Sequence, residues 1–250
     1  MMGGGCLLGE VIALLAGTGG MGKTCLTAGL AVALANAGKQ VLCVDCQEGL
    51  GTLDIYLGME QQDALSYADI CRGDYSLGRA AVHPQYSSLH YLAAPVRVVP
   101  GQPDPEAFRD LVRRAGSAYD FVLLNTAAGL GDMALLAAQC AHRCIVLSGM
   151  GDPSIRTAGR VADRLQLLGK TDCRLVVSRV QTGLLRSMKR TVDDIIDRTG
   201  LPLLGLVPED EQLLLLTAAG KFAAGKKWSF AAFQRIAKRI QGQPVPVPTR

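Results

Sequence analysis

Short apolar runs alternate with longer segments of helical periodicity along most of the chain. The apolar runs predict strands at 11–16, 41–45, 89–94, 121–125, 144–148, 174–178 and 202–206. The periodic segments predict helices at 23–37, 62–72, 105–115, 132–141, 155–168, 184–198, 211–219 and 229–241. This alternation is typical of an α/β fold, in which a mostly parallel, twisted sheet carries helices on both faces. Because such sheets bind ligands at the carboxyl ends of their strands, the loops after residues 16, 45, 125, 178 and 207 are expected to converge on one site.

Composition is compatible with one domain. The 250 residues are 49% hydrophobic and 19% charged, which is enough to bury a full core. We predict a single domain over residues 1–242, followed by a proline-rich extended tail over 243–250. Pro244, Pro246 and Pro248 remove backbone donors from that tail and favour extended backbone.

Charge, apolar runs and cysteine content indicate which partners and which cellular location to expect. A net charge of +4 does not require a polyanion-binding surface, and no sequence-specific nucleic-acid binding is expected. The apolar runs are too short to span a bilayer, and the first residues lack the pattern of an export signal. Scattered cysteines favour a reducing cytoplasm. A basic cluster late in the chain is interpreted as a solvated face; its members are Lys221, Lys226, Lys227, Arg235, Lys238 and Arg239.

One contiguous motif points to a ligand. The pattern G-x-x-x-x-G-K-[ST] is filled by Gly17, Thr18, Gly19, Gly20, Met21, Gly22, Lys23 and Thr24, and Cys25 follows. The motif lies between a predicted strand and a predicted helix, which is the context of a phosphate-binding P-loop (Walker A). Glycines let backbone N–H groups surround phosphate oxygens, Lys23 reaches the β- and γ-phosphates, and Thr24 ligates Mg²⁺. The alternative is a glycine-rich turn that binds nothing.

Hydrolysis of a nucleotide also needs carboxylates at neighbouring strand ends. The segment that follows the second predicted strand runs from Asp45 through Gln47 and Glu48 to Asp54. The fourth predicted strand ends at Asn125, within the segment Asn-Thr-Ala-Ala-Gly. Asp45 is therefore a candidate to hold Mg²⁺ through its waters; the alternative is that it caps a turn or helix.

With these segments in order, the chain resembles the MinD/ParA group of deviant P-loop ATPases, and its MinD branch in particular. The resemblance covers the glycine loop, the D-x-x-x-G-L-x-x-L-D segment 45–54, the stretch 125–129, Pro153 to Arg164, and segments 175–180, 202–210 and 233–245. It implies a P-loop NTPase fold of the SIMIBI type, ATP or ADP with Mg²⁺ as ligands, and a homodimer through the nucleotide face.

Three positions depart from the pattern of this family. The signature lysine, which in family dimers crosses to the partner's phosphates, falls on Thr18. The water-placing aspartate falls on Gln47, which can orient water but cannot take its proton, and the magnesium-supporting aspartate falls on Asn125. The candidate catalytic residues are thus Lys23 and Gln47, and the candidate Mg²⁺ residues are Thr24, Asp45 and Asn125. These losses predict nucleotide binding with weak or absent hydrolysis.

The resemblance also implies a base-binding side. Its candidates are Ser178, where the family often has an adenine-contacting asparagine, and Arg179, Pro208, Glu209 and Asp210. The alternative is that 208–210 simply form the turn before the next helix. Cys43 and Cys46 form a C-x-x-C pair, but without a second pair or a nearby histidine they are interpreted as buried hydrophobes.

The leading hypothesis is a nucleotide-dependent positioning or regulatory factor, with division-site selection favoured by the carboxyl-terminal resemblance. The alternatives are an active ATPase that positions pili, flagella or DNA cargo, and an iron–sulfur or cofactor-pathway carrier. The final helix carries Phe233, Ile236, Ala237 and Ile240 on one stripe, and core packing is favoured over membrane contact. Autonomous membrane cycling is therefore not expected, and location at the inner membrane would depend on an unidentified protein partner.

Overall fold

An eight-stranded sheet forms the centre of the computed structural model, which describes residues 9–97, 103–222 and 228–246. Its strands are β1 Glu10–Ala16, β2 Val41–Cys46, β3 Ala81–Val82, β4 Leu89–Leu92, β5 Phe121–Thr126, β6 Arg143–Ser148, β7 Cys173–Val180 and β8 Leu203–Pro208. The spatial order is β3-β4-β2-β5-β1-β6-β7-β8, and every pair is parallel except β3 with β4. The mostly parallel sheet confirms the predicted fold class.

The helices cover the two faces of this sheet. They are α1 Lys23–Asn36, α2 Leu53–Leu57, α3 Tyr67–Cys71, α4 Pro105–Ala118, α5 Asp132–Cys140, α6 Asp152–Leu167, α7 Thr182–Ser187, α8 Val192–Thr199, α9 Gln212–Ala218 and α10 Trp228–Ile240. Alternate residues of β1 lie in two different hydrophobic cores, one on each face of the sheet. Val11, Ala13 and Leu15 belong to the first core, and Ile12 and Leu14 belong to the second. Burial on both sides explains why this strand is a continuous apolar run.

Helices α1 and α10 pack closely. A Cβ added at Gly29 of α1 would lie 2.2 Å from Cδ2 of Phe233, so this glycine sets the distance between them. Phe233, Ile236 and Ile240 are all buried, as the core interpretation of the last helix predicts. Among the described residues, no helix combines the length and apolarity needed to cross a bilayer.

The region of the predicted helix 62–72 is different in the structure. The chain forms the short helix α2 earlier, at Leu53–Leu57, and α3 begins only at Tyr67. Ser66 and Asp69 form a reciprocal capping box that starts α3, and Ser66 also pairs with Ala93 in an isolated bridge. Residues 62–66 are therefore held out of helical conformation, and the prediction was wrong there.

The predicted helix 184–198 is also interrupted. It forms α7 and α8, separated by Lys189, whose φ of 50° is left-handed. Thr191 and Asp194 make a second capping box, which starts α8 at Val192. The predicted strand 89–94 ends at Leu92, and the antiparallel edge strand β3 had not been predicted.

The carboxyl-terminal segment is tied to the sheet by Arg239. Its Nε donates to the Val245 carbonyl at 2.7 Å and its Nη1 donates to the Leu204 carbonyl of β8. Burial lowers the pKa of this guanidinium, so the interpretation of Arg239 as part of a solvated face was wrong. Residues 226, 227 and 247–250, which include part of the basic cluster and of the predicted tail, lie outside the described residues.

A buried histidine gives this fold an expected pH dependence. His83, which is 3% exposed, accepts a hydrogen bond from the Gln85 N–H at Nδ1, and its Nε2 lies 2.9 Å from the Leu57 carbonyl. Burial lowers the pKa of His83 below its usual value, so the unfolded chain takes up a proton first as the pH falls. We expect stability to drop below about pH 6.5, the usual histidine pKa. Urea unfolding measured from pH 8 to 5 should show a shallower drop for His83→Gln; equal slopes would contradict the prediction.

Candidate nucleotide-binding site

The glycine loop joins the carboxyl end of β1 to the start of α1. Gly20 and Gly22 have φ values of 77° and 74°, in the left-handed region that favours glycine. A Cβ built on Gly19, Gly20 or Gly22 would meet no atom of another described residue within 4 Å, so the described part of the chain leaves space beside these glycines. A Cβ on Gly17 would instead lie 2.5 Å from Cβ of Thr157, which places α6 against the beginning of the loop. The local conformation is that of a phosphate-binding loop.

Donors without partners are concentrated at this loop. Within the described part of the chain, no acceptor is bonded to the backbone N–H groups from Gly19 to Cys25. The Lys23 side chain likewise has no hydrogen-bond or ion-pair partner there, although Lys23 is only 8% exposed. Burial lowers the pKa of the Lys23 ammonium, and the nearby Asp45 charge opposes that shift. A buried ammonium beside free N–H donors and a helix N-terminus creates a strongly favourable position for an anion.

The loop opens into a cleft of about 330 Å³. Its lining consists of residues 18–25, Gln47, Glu48, Leu50, Thr52, Tyr56, Ala127 and Ala128. The convergence predicted for the loops after β1, β2 and β5 is therefore observed. Sequence reasoning did not single out Glu48 or Tyr56, although Glu48 is a charged residue just beyond a strand end, which is a usable signal.

Asp45 is at the centre of a saturated network. Its Oδ2 accepts from the backbone N–H groups of Thr52 and Leu53, both at 3.1 Å, at the start of α2. Its Oδ1 accepts from the Gln47 N–H and from Nδ2 of Asn125, also at 3.1 Å. Burial raises the pKa of Asp45 above its usual range, and these four donors oppose the shift. The geometry is that of a cap on the loop and on α2.

Gln47 and Asn125, the two amides at positions where the family has aspartate, both face Thr24. Gln47 Nε2 donates to Thr24 Oγ1 at 3.0 Å, and Asn125 Nδ2 lies 3.5 Å from the same oxygen. The Asp45 carboxylate fixes the direction of the Asn125 amide, because a flipped amide would place two oxygens together. Thr27 Oγ1 lies 3.2 Å from the Asn125 carbonyl oxygen on the other side. Asn125 therefore presents N–H groups, not an oxygen, towards Thr24.

This donor set fits a magnesium ion only in part. Mg²⁺ needs oxygen ligands, and of the three predicted Mg²⁺ residues only Thr24 offers one, its hydroxyl, beside the fully occupied Asp45 carboxylate. The Gln47 amide would have to release Thr24 before that hydroxyl could bind a metal. The residues fit an ion carried in on nucleotide phosphates better than a resident ion.

A carboxylate at position 125, where the family has aspartate, should destabilise the unliganded protein because it would face Asp45. Asn125→Asp would place two buried carboxylates about 3 Å apart, so we expect a loss of about 3 kcal/mol in unfolding free energy without ligand. Added Mg²⁺ with ADP should recover part of that loss, which urea unfolding at pH 8 measures. The exposed Asn36→Asp serves as the matched control and should cost less than about 1 kcal/mol. An unliganded Asn125→Asp protein as stable as wild type would contradict this account.

The predicted base-side residues lie beside the loop but outside the cleft lining. The Ser178 hydroxyl donates to the Met21 carbonyl at 2.7 Å and is 4% exposed. Arg179, with a left-handed φ of 55°, pairs through Nε with Glu209 at 2.7 Å, and its Nη1 reaches the Gly20 carbonyl at 3.4 Å. These contacts support the loop backbone from the ends of β7 and β8.

The segment after β8 has local partners. Pro208 is the last residue of β8, and its carbonyl accepts from the Ser229 hydroxyl at 3.4 Å. Asp210 Oδ1 accepts from the Gln212 N–H at the start of α9, and the Glu209 N–H donates to the Val180 carbonyl. These contacts are those of the turn before a helix, the alternative left open above.

The C-x-x-C pair is part of the sheet. Cys43 and Cys46 are both buried, and burial raises the pKa of each thiol. In the described ranges, no three side chains among His, Cys, Asp and Glu are arranged to hold a metal ion. Both members of the C-x-x-C pair are therefore buried residues of β2.

A glycine loop between a strand and a helix, with a buried lysine that has no partner in the described ranges, defines a P-loop nucleotide-binding protein. Residues 12–221 match the family described as the CobQ/CobB/MinD/ParA nucleotide binding domain, and the chain belongs to that family. It is 30% identical to the putative septum site-determining protein MinD of Emiliania huxleyi, over 95% of this chain and 89% of that protein. It is 29% identical to the MinD of Bacillus subtilis, over 96% and 92% of the two chains.

Solved structures agree with these relatives. The MinC:MinD cell division protein complex of Aquifex aeolicus matches with a TM-score of 0.88 at 28% identity, covering 96% of this chain and 98% of that one. A MinD complexed with Mg-ADP from Pyrococcus horikoshii shares the fold, with a TM-score of 0.79 at 24% identity over 92% and 95% of the chains. The family resemblance drawn from the motifs is confirmed.

Proposed function

We propose that this protein holds ATP or ADP in the glycine loop as a switch or structural ligand, hydrolyses ATP slowly, and acts as a regulatory factor in selecting the division site. The observation that carries the proposal is Lys23, a buried ammonium without a partner among the described residues, surrounded by unbonded N–H groups. Burying such a charge is costly unless an anion compensates it. A nucleotide triphosphate supplies that anion.

Each residue then has a physical role. The N–H groups from Gly19 to Cys25 and the Lys23 ammonium bind phosphate oxygens, and the start of α1 adds its positive dipole. Mg²⁺ arriving with the nucleotide would be held by Thr24 and would neutralise phosphate charge. Asp45 holds the loop that precedes α2 through the N–H groups of Thr52 and Leu53. The phosphates are thus bound by groups that are already positioned before the nucleotide arrives.

Slow hydrolysis is supported by the uncharged residues at positions 18, 47 and 125. Thr18 provides no cation for a partner's phosphates, and the Gln47 amide is bonded to Thr24. Asn125 adds no charge near that hydroxyl, because a carboxamide is neutral, and its amide nitrogen donates to Asp45. Comparable cations in other NTPases contribute about 10³–10⁵ in rate, so the loss at position 18 is the largest expected deficit.

The proposed setting and partners rest on the relatives. Several curated relatives are named septum site-determining proteins, which supports a role in division over pilus, flagellar or DNA positioning. By analogy with the MinC:MinD complex, we expect a protein partner, and through it any contact with the inner membrane. A homodimer through the nucleotide face is also proposed; Leu50, 79% exposed at the rim of the cleft, is available to such a contact.

One titration tests this proposal. Purified protein is titrated with ATP·Mg²⁺ and with ADP, while phosphate release and molecular mass are followed in parallel. Saturable binding of both nucleotides with slow phosphate release is expected. The absence of saturable binding at millimolar ATP would overturn the proposal, and rapid turnover would favour the active-ATPase alternative.

A further inference from the structure

Glu48 is a carboxylate of the cleft that the family motif does not assign. It follows Gln47 by one residue, two positions beyond the end of β2, and it lines the same cleft as Lys23 and Thr24. Among the described residues that line this cleft, Glu48 is the only carboxylate and Lys23 the only cation. A carboxylate beside a phosphate site weakens anion binding, so its position needs another explanation.

A buried phenol fixes one oxygen of this carboxylate. Tyr67 Oη donates to Glu48 Oε1 at 2.8 Å, and Tyr67 is fully buried at the start of α3. Its ring meets Phe108 edge-on, with 5.6 Å between ring centroids, and the Ser66 capping box fixes α3. Burial raises the pKa of the Tyr67 phenol, so it remains a proton donor at neutral pH. This hydrogen bond fixes the position of the Glu48 carboxyl group in the cleft.

The second oxygen of Glu48 has no partner in the described ranges of the chain. No donor to Oε2 and no ion pair to Glu48 is found among the residues that the structure describes. The other candidates for activating water are occupied: four N–H groups saturate Asp45, and the Gln47 amide is bonded to Thr24. Glu48 is therefore the group in this cleft that can accept a proton from water.

We infer that Glu48, positioned by Tyr67, is the general base of the residual ATP hydrolysis; this rests on the proposed function. The water oxygen forms a bond to the γ-phosphorus while the bond from that phosphorus to the β,γ-bridging oxygen breaks. The bridging oxygen leaves on ADP with the electron pair, and Glu48 takes the water proton and passes it to solvent. Glu48 touches the attacking water and is catalytic, whereas Tyr67 is a positioning residue.

The test separates binding from the chemical step. The ATP dissociation constant and the single-turnover rate of phosphate formation are measured for wild type and for Glu48→Gln, which keeps an acceptor for Tyr67 but cannot take a proton. We expect a rate at least about tenfold lower, with ATP affinity unchanged or higher. The matched control Glu60→Gln, an exposed residue outside the cleft lining, should change neither quantity.

Tyr67→Phe tests the positioning role. It should lower the rate and leave ATP affinity unchanged, and added to Glu48→Gln it should cause no further loss, because it acts through that carboxylate. A wild-type rate in Glu48→Gln with intact ATP binding would overturn the inference, as would a wild-type rate no higher than the buffer background while ATP still binds. Failure of ATP to bind would instead overturn the proposed function beneath it.

Discussion

Replacing Lys23 by alanine is expected to weaken ATP binding by about 100-fold or more. A hydrogen bond to a charged group contributes about 1.5–3 kcal/mol, and Lys23 would contact two phosphates. Since 1.4 kcal/mol corresponds to a factor of ten, losing these two contacts would raise the ATP dissociation constant about 100-fold. The unliganded variant should melt no lower than wild type, because burial of this ammonium is unfavourable without an anion.

Calorimetric titration and thermal unfolding measure the two halves of this prediction. Lys238→Ala, which removes an exposed lysine on α10, provides the control and should leave ATP affinity intact. If Lys23→Ala binds ATP like wild type, the glycine loop is not the nucleotide site. If it binds weakly only because it is unfolded, the melting curve will show this.

Restoring the three charges that the family has at positions 18, 47 and 125 is expected to raise the rate of phosphate release by about 10²–10³-fold. The triple variant Thr18→Lys, Gln47→Asp and Asn125→Asp supplies the residues that the family resemblance places at these positions. Thr18 is half-buried and lines the cleft, so a longer side chain has room to extend from it. A single trans cation is worth about 10³–10⁵ in other NTPases, and incomplete dimerisation would reduce that gain.

The rate should then depend on protein concentration, because the introduced lysine acts on the partner's nucleotide. Phosphate release measured over a range of concentrations tests this dependence, and Gln47→Asp with Asn125→Asp, lacking the lysine, is the control. A triple variant no faster than wild type, despite normal ATP binding, would show that these positions do not explain slow turnover.

The sequence was informative where function resides in contiguous residues. The glycine loop could be predicted because Gly20 and Gly22 need left-handed backbone and the motif fixes their spacing. The long apolar run of β1 likewise indicated a strand buried on both sides. The two interrupted helices could also have been found, because Ser66 with Asp69 and Thr191 with Asp194 have the spacing of a capping box.

The rest depended on contacts that spacing does not reveal. Asp45 is saturated because the chain returns at Thr52 and Leu53, so its oxygens could not be counted from the sequence. The direction of the Asn125 amide follows from that same carboxylate. Glu48 is not a fixed position of any motif, and its partner Tyr67 is the first residue of a helix that had been predicted to start earlier, at residue 62. The hydrogen-bond partners of Asp45, Asn125 and Glu48 therefore became known only from the three-dimensional arrangement.

If hydrolysis is slow, this protein retains ATP longer than an active ATPase does. A single-turnover experiment, with protein in excess over labelled ATP·Mg²⁺, measures the lifetime of the bound nucleotide directly. We expect saturable retention and conversion to ADP slower than about 0.01 s⁻¹, in the range of unstimulated NTPases. Conversion at about 1 s⁻¹ or faster, the range of ordinary enzymes, would contradict it, and so would the absence of retained ATP.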